Sequence, residues 1–145
     1  MRVMGLDYGS KTVGVALTDP LGLTVQPLET ITRDSENKLR RTLARLEEIV
    51  TEYQVGSIIL GYPLNMDDSV GERAQKTQEF KIKLEKRLGR PVILQDERLT
   101  TAAADENLQE MNVPKSERKK YIDQLAAAFI LEDYLAGGRT PGKEK

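Results

Sequence analysis

Residues 2–18 read Arg2-Val3-Met4-Gly5-Leu6-Asp7-Tyr8-Gly9-Ser10-Lys11-Thr12-Val13-Gly14-Val15-Ala16-Leu17-Thr18, and the fold turns on how this stretch divides. Residues 2–7 are a short apolar run closed by a charge, the pattern of a buried strand. In residues 11–18, Val13, Val15 and Leu17 alternate with Gly14, Ala16 and Thr18, so a second strand with two unlike faces is expected. Gly9-Ser10 between them is a tight-turn signal, which makes the pair an antiparallel hairpin. Pro20-Leu21-Gly22 marks another turn, and Pro27 to Thr32 supplies a third strand.

Downstream the apolar period lengthens from two residues to that of a helix. Ser35 is placed as the N-cap of a helix reaching about Tyr53, with Leu39, Leu43, Leu46, Val50 and Tyr53 along one face. Gly56 ends that unit, and Ser57 to Gly61 reads as a short buried strand of the parallel kind. A turn-rich loop covers residues 62–70. Ser69 with Glu72 then has the spacing of a capping box, opening a helix to about Leu88. Gly89-Arg90-Pro91 breaks it, and Val92 to Gln95 is another strand. Thr100 or Thr101 caps a helix to about Met111, Pro114 interrupts, and a last helix runs from about Glu117 to Leu135. The order β-β-β-α-β-α-β-α-α predicts an α/β domain. Its sheet is mixed, an antiparallel three-stranded meander plus parallel strands, with helices on both faces. One domain is expected over residues 1–136, and 137–145 as a flexible polar tail.

The absences narrow the chemistry. The 145 residues contain no Cys, which excludes disulfides, thiolate zinc sites and cysteine nucleophiles. They contain no His, which excludes serine triads and imidazole acid–base work. Catalysis must come from carboxylates, Lys and Arg, hydroxyls and backbone groups, and oxygen-only ligands suit magnesium or manganese. No apolar run approaches the ~20 residues of a membrane helix, and no signal-peptide pattern opens the sequence. A cytoplasmic protein without membrane contact is expected. The net charge of −1 requires that any nucleic-acid-binding surface gather its basic residues on one face.

Three carboxylates stand out. Asp7 closes an apolar strand, and alternation puts it on the face of Val3 and Gly5. It is either a cap for the following turn or a site residue, because a carboxylate at the end of a core strand needs a partner or a metal. Glu97 follows a strand and precedes a helix, the usual place for sites in α/β sheets. Taken alone, the run Asp96-Glu97-Arg98 reads first as a solvated loop with local ion pairs. Asp96 and Glu97 point opposite ways, so only one can reach a shared site. Asp123 is more telling, because its helical stripe holds Ala126, Ala127, Ile130 and Tyr134. An ion pair with Lys119 or Lys120 would explain the charge but not the small-residue face. Gathered together, the three would carry a charge of about −3 and require cations. Two divalent ions would relieve it, activate water and steady the leaving oxygen of a phosphodiester displacement.

The run Asp7-Tyr8-Gly9-Ser10-Lys11-Thr12-Val13-Gly14-Val15-Ala16 resembles the first motif of the YqgF/RuvX family of Holliday-junction-resolvase-like proteins and pre-16S rRNA nucleases. Gly61-Tyr62-Pro63-Leu64-Asn65-Met66-Asp67, then Asp96-Glu97-Arg98-Leu99-Thr100-Thr101, then Asp123 with its Ala-rich continuation, resemble the later motifs in the family's order. Tyr62 departs from the commoner Leu or Phe. The resemblance implies an RNase H-like fold and a metal-dependent nuclease in which Asp7, Glu97 and Asp123 are catalytic and bind Mg2+ or Mn2+. It implies processing of the 5′ end of pre-16S ribosomal RNA, with Holliday junction resolution in DNA as the alternative. The 62–70 loop then reads as substrate-facing, with Asn65 and Asp67 able to contact phosphate, sugar or metal. Lys11, Arg73, Lys76, Arg98, Lys115, Arg118, Lys119 and Lys120 are the basic residues expected near the site, the Lys115–Lys120 run first among them. Each is equally readable as a solvated charge.

Two other classes compete. An actin-like ATPase or sugar kinase also opens with an Asp-x-Gly hairpin, but it needs two such domains around a cleft. A catalytically silent ribosome-assembly or nucleic-acid-binding factor suits the acidic balance, and retention of all three carboxylates argues against it. No self-complementary apolar stripe is present, so a monomer is favoured over the two-fold dimer that symmetric junction cutting would need.

Overall fold

The opening hairpin forms as its alternation predicts. In the computed structural model, which describes residues 1–63, 71–97, 106–107 and 109–137 (without the side chains of residues 116, 119 and 120), strands β1 (Arg2–Tyr8) and β2 (Thr12–Thr18) pair antiparallel. Strand β3 (Val25–Thr32) adds to β2, completing the meander. Helix α1 (Arg40–Glu52), strand β4 (Val55–Tyr62), helix α2 (Glu72–Leu88), strand β5 (Val92–Asp96) and helix α3 (Lys115–Leu135) follow. The sheet order is β3-β2-β1-β4-β5, with β4 parallel to both β1 and β5. This is the expected mixed sheet.

Strand alternation divides the sheet into two faces. Met4, Leu6, Tyr8, Val13, Val15, Ile58 and Leu60 point into one core with Leu46, Ile49, Phe80 and Leu84 of α1 and α2. Each such side chain contributes roughly 1.5–3 kcal/mol on leaving water. The opposite face packs Ala16 and Ile59 against Ala127, Ala128, Ile130 and Leu131 of α3. That second layer is thin because its residues are small. A β-carbon on Gly5 would lie 2.9 Å from the Ala127 carbonyl, and one on Gly14 would collide with the carbonyl of Asp123. Glycine on the strands and alanine on the helix thus bring the α3 backbone almost onto the sheet.

Several boundaries differ from expectation. Helix α1 begins at Arg40, not after Ser35, because residues 33–39 fold as turns that turn the Arg33 side chain inward. It ends before Gly56: Gln54 takes the left-handed conformation, φ 54°, and Gly56 lies inside β4. The N-cap of α2 is Gly71, with no side-chain cap bond, and the expected cap Ser69 lies outside the described residues. Thr100 and Thr101 also lie outside them, but the helical residues 106, 107, 109 and 110 end at Met111-Asn112, where Asn112 has φ 60°. Helix α3 starts two residues early, directly after Pro114. Among the described residues no helix is long and apolar enough to cross a membrane.

Candidate active site

Asp7 is delivered to the α3 side of the sheet by β1, at the carboxyl end of the strand and opposite Gly14 of β2. Glu97 arrives from the other side of β4. Its backbone N–H donates to the Tyr62 carbonyl at 3.3 Å, which extends the β4–β5 pairing by one residue. The Glu97 carboxyl lies over Gly61, where a β-carbon would sit 2.7 Å from its Cδ and Oε2. In that position Glu97 hydrogen-bonds the carboxyl of Asp7. Two carboxyls can share such a bond only when one is protonated.

The electrostatics agree. Asp7 is pushed from 3.8 up to about 6, chiefly by burial, opposed by its hydrogen bond with Glu97, with the Asp123 charge pushing further and Arg73 pulling down. Glu97 is held well above the usual carboxylate range, first by burial and then by the charge of Asp7 and the bond between them. Both residues lie at the carboxyl end of the strands, mostly buried with a part of their surface in solvent. Burial and mutual repulsion thus favour protonation of the pair in the metal-free chain.

Asp123 completes the neighbourhood in part. Its helical stripe lies as expected, with Ala126, Ala127 and Ile130 fully buried and Tyr134 against the α3-side core. Its charge reaches Asp7. However, among the described residues no three carboxylates close to metal-holding distance. The structure brings Asp7 and Glu97 side by side, and Asp123 stands on α3 within electrostatic reach of Asp7.

A group that sequence reasoning missed holds the turn behind Asp7. Tyr8 stacks on Phe80, ring centroids 4.1 Å apart and 9° from parallel. Two guanidinium groups lie by the Tyr8 ring, Arg33 at 4.9 Å and Arg73 at 5.4 Å from its centroid. Arg33 donates through NH2 to the Gly9 carbonyl at 2.6 Å and through Nε to the Glu36 carbonyl at 3.2 Å. Arg73 donates to the Tyr8 carbonyl at 3.3 Å and pairs with Glu36 at 2.5 Å. Nothing local in the sequence marks Arg33 or Glu36, since the clamp exists only once three distant segments meet.

The other expected residues divide. Lys11 is exposed at the hairpin turn, and Lys115 is exposed at the first turn of α3. Arg73 is committed to Glu36 and Tyr8 rather than standing free for phosphate. Arg118 folds back on its own helix start, donating to the Val113 carbonyl at 3.2 Å. Lys119 lies within α3, its side chain outside the description, and Asn65, Asp67 and Arg98 lie outside the described residues. Tyr62 is buried, and its hydroxyl accepts from Gln78 Nε2 at 2.5 Å, which accommodates this departure from the commoner apolar residue.

A mixed sheet in this order, helices on both faces and carboxylates at the carboxyl ends of β1 and β5 define an RNase H-like domain. Residues 1–137 match the family described as RuvX, Holliday junction resolvase, and the chain belongs to that family. A relative from Lachnospira eligens is 61% identical over 135 residues, covering 93% of this chain and 96% of its own. One from Acetivibrio thermocellus is 48% identical over 136 residues, covering 93% and 95%. Both carry the name "Putative pre-16S rRNA nuclease". Among solved structures, the RuvC of T. thermophilus in complex with Holliday junction substrate aligns with TM-score 0.59 at 15% identity, over 97% of this chain and 99% of that one. The fowlpox virus Holliday junction resolvase aligns at 0.51 and 19%, over 94% and 99%. These two likenesses concern the fold.

Proposed function

We propose that this protein is a cytoplasmic nuclease that hydrolyses phosphodiester bonds, with magnesium or manganese held by Asp7, Glu97 and Asp123, and that it processes the 5′ end of pre-16S ribosomal RNA. The observation that carries this reading is the placing of the Asp7 and Glu97 carboxyls side by side above Gly61, with Asp123 in electrostatic reach. A half-buried acid pair with a third carboxylate in electrostatic reach has little structural use. As a donor set of oxygens alone, it fits a hard divalent cation. The shared proton must leave as the cation arrives, because metal ligands are deprotonated. Bound there, such ions supply an activated water and stabilisation of the leaving oxygen.

The rest is done by the chain itself. Strand β1 and the Arg33–Arg73 clamp fix the backbone on either side of Asp7. Strand pairing fixes Glu97, and the close seat of α3 on Gly14 fixes the backbone at Asp123. Arg73 favours the ionised form of both paired carboxyls. Lys11 and Lys115 stand exposed at this end of the sheet and steady substrate phosphates without reading sequence. Arg98, Arg118 and Lys119, with Asn65 and Asp67 in the neighbouring loop, are assigned the same task, and Arg73 acts through the clamp. The 48–61% identical relatives named for pre-16S rRNA support the choice of RNA.

The family description favours a second reading, endonucleolytic cutting of a four-way DNA junction. One panel decides. A pre-16S 5′-leader fragment, unrelated single-stranded RNA, single-stranded DNA and a four-way junction are incubated with wild type and Asp7→Asn in magnesium, manganese or EDTA. Metal-dependent cutting of the leader fragment, lost in Asp7→Asn, is expected, with the chain eluting as a monomer. Preferred cutting of the junction by a dimer would replace the RNA reading. No cutting of any substrate by folded protein would leave the silent assembly factor.

A further inference from the structure

On α1 and α2 several basic residues are neutralised in pairs, while Lys76, Lys83 and Lys86 form no ion pair with a described residue. Arg45 bonds Glu29 and Glu48 at 2.7 and 3.1 Å, Lys81 bonds Glu85 at 3.1 Å, and Arg87 bonds Glu47 at 3.2 Å. The segment joining β3 to α1 lines a cavity of about 530 Å3 whose charged wall is Arg33, Lys38, Arg40 and Arg41, with Asp34 as its one acid. Lys38, Arg40 and Arg41 are exposed, and none forms an ion pair with a described residue.

Two further observations point to an anion. The first turn of α1 contains no acidic residue, and its N-cap, Leu39, makes no side-chain cap bond. The positive end of a helix is an unfavourable place for unpaired cations unless negative charge joins them. Arg33, in the wall of the same cavity, has its NH1 buried and without a hydrogen-bond partner, while Nε and NH2 are satisfied. Buried donors of this kind are nearly always paired. The cavity lies at the same end of the sheet as the Asp7 turn: Arg33 binds the carbonyl of Gly9, two residues beyond Asp7.

We infer that the β3–α1 cavity is a binding site for the phosphate backbone of the substrate strand, flanking the bond to be cut, with Lys38, Arg40 and Arg41 as its charged wall and Arg33 as its link to the Asp7 turn. The inference rests on the nuclease reading and locates what the acidic net charge demands, a concentrated basic surface. Four cations against the one acid, Asp34, still exceed the charge of one phosphate, so the occupant is a strand rather than a free ion. Contact there positions without reading sequence.

The test uses the full chain carrying Asp7→Asn, which prevents cutting, in magnesium with a fluorescent single-stranded pre-16S leader fragment. Lys38→Gln, Arg40→Gln and Arg41→Gln are added together. A control adds Lys83→Gln, Lys86→Gln and Arg87→Gln, the same charge change on exposed residues at the far end of α2. Thermal melts confirm that both are folded. The first set should weaken binding at least tenfold near physiological salt and flatten the salt dependence by about two, from roughly 0.7 per phosphate contact. The control should stay within about twofold. Equal weakening by both sets would overturn the inference in favour of net charge alone. Unchanged binding in the first set, with wild type still cutting, would overturn the cavity while leaving the nuclease intact. Wild type that neither cuts nor binds nucleic acid would overturn both.

Discussion

The β-carbon that Gly14 lacks would fall on the backbone carbonyl of Asp123. Helix α3 therefore rests on the sheet at the one residue of β2 that pairs with Asp7. The height of the third carboxylate above the acid pair is set by a missing methyl group. Gly14→Ala should lift the helix start, lowering stability by about 1–3 kcal/mol as overpacking does. Activity should fall on the order of a hundredfold, since small misplacements of catalytic groups are costly. Paired denaturant melts and cleavage rates check this; a fully active Gly14→Ala protein would mean that the seat of α3 is irrelevant to the site.

Gly61 plays the same part for Glu97. A β-carbon there would meet both the Glu97 carboxyl at 2.7 Å and Ile130 Cδ1 at 2.5 Å. Gly61→Ala should separate Glu97 from Asp7 and cut activity by about tenfold or more, at a stability loss of about 1–3 kcal/mol. The carboxyl stretching bands of isotope-edited protein would report the loss of the shared proton. Retention of those bands with full activity would show that Glu97 does not need this seat.

Much of this was legible in the sequence, for physical reasons that differ between elements. The hairpin could be read because Val13, Val15 and Leu17 alternate strictly, and Asp123 because a lone charge in the Ala126–Ala127–Ile130 stripe has no surface explanation. The start of α1 was misplaced because Ser35 imitates a cap, while tertiary contacts of Arg33 with Gly9 and Glu36 hold residues 33–39 as turns. Gly56 imitates a helix stop in the same way, although Gln54 makes the reversal. The Arg33–Arg73 clamp and the basic cavity could not be read, since neither has a local period or spacing. They arise where β1, the β3–α1 segment and α2 meet.

The acid pair makes the metal-free protein pH-sensitive. Unfolded Asp7 titrates near 3.8 and folded Asp7 near 6, so between these values the folded chain keeps a proton that the unfolded chain has lost. Glu97 is shifted in the same direction. Stability in EDTA should be greatest in acid and fall as pH rises through about 6. Asp7→Asn removes one buried charge and should stabilise the metal-free chain near pH 7.5 by about 1–2 kcal/mol, after allowance for solvent screening at this partly exposed site. Urea melts in EDTA across this range test the sign. Destabilisation by Asp7→Asn at neutral pH would show that the pair is a structural bond rather than a strained site.

Arg73 lowers both paired carboxyls while holding Tyr8 and Glu36. In Arg73→Gln the two acids should rise further, moving the acid limb of the cleavage profile to higher pH by up to about one unit, with a stability loss near 1 kcal/mol. Arg73→Lys should restore part of the profile, because a charge returns without the paired hydrogen bonds. An unmoved acid limb in Arg73→Gln would assign this residue to structure alone.

The proposed metal site requires that Asp7 and Glu97 give up carboxyl protons as a divalent cation binds. Calorimetric titration of manganese into the wild-type chain near pH 5.5, in buffers of different ionisation enthalpy, measures that release directly. Binding should release at least one proton, and Asp7→Asn should lose at least about a hundredfold in affinity, beyond the usual effect of an outer-shell residue. Equal manganese affinity in wild type and Asp7→Asn, or binding without proton release, would contradict the account.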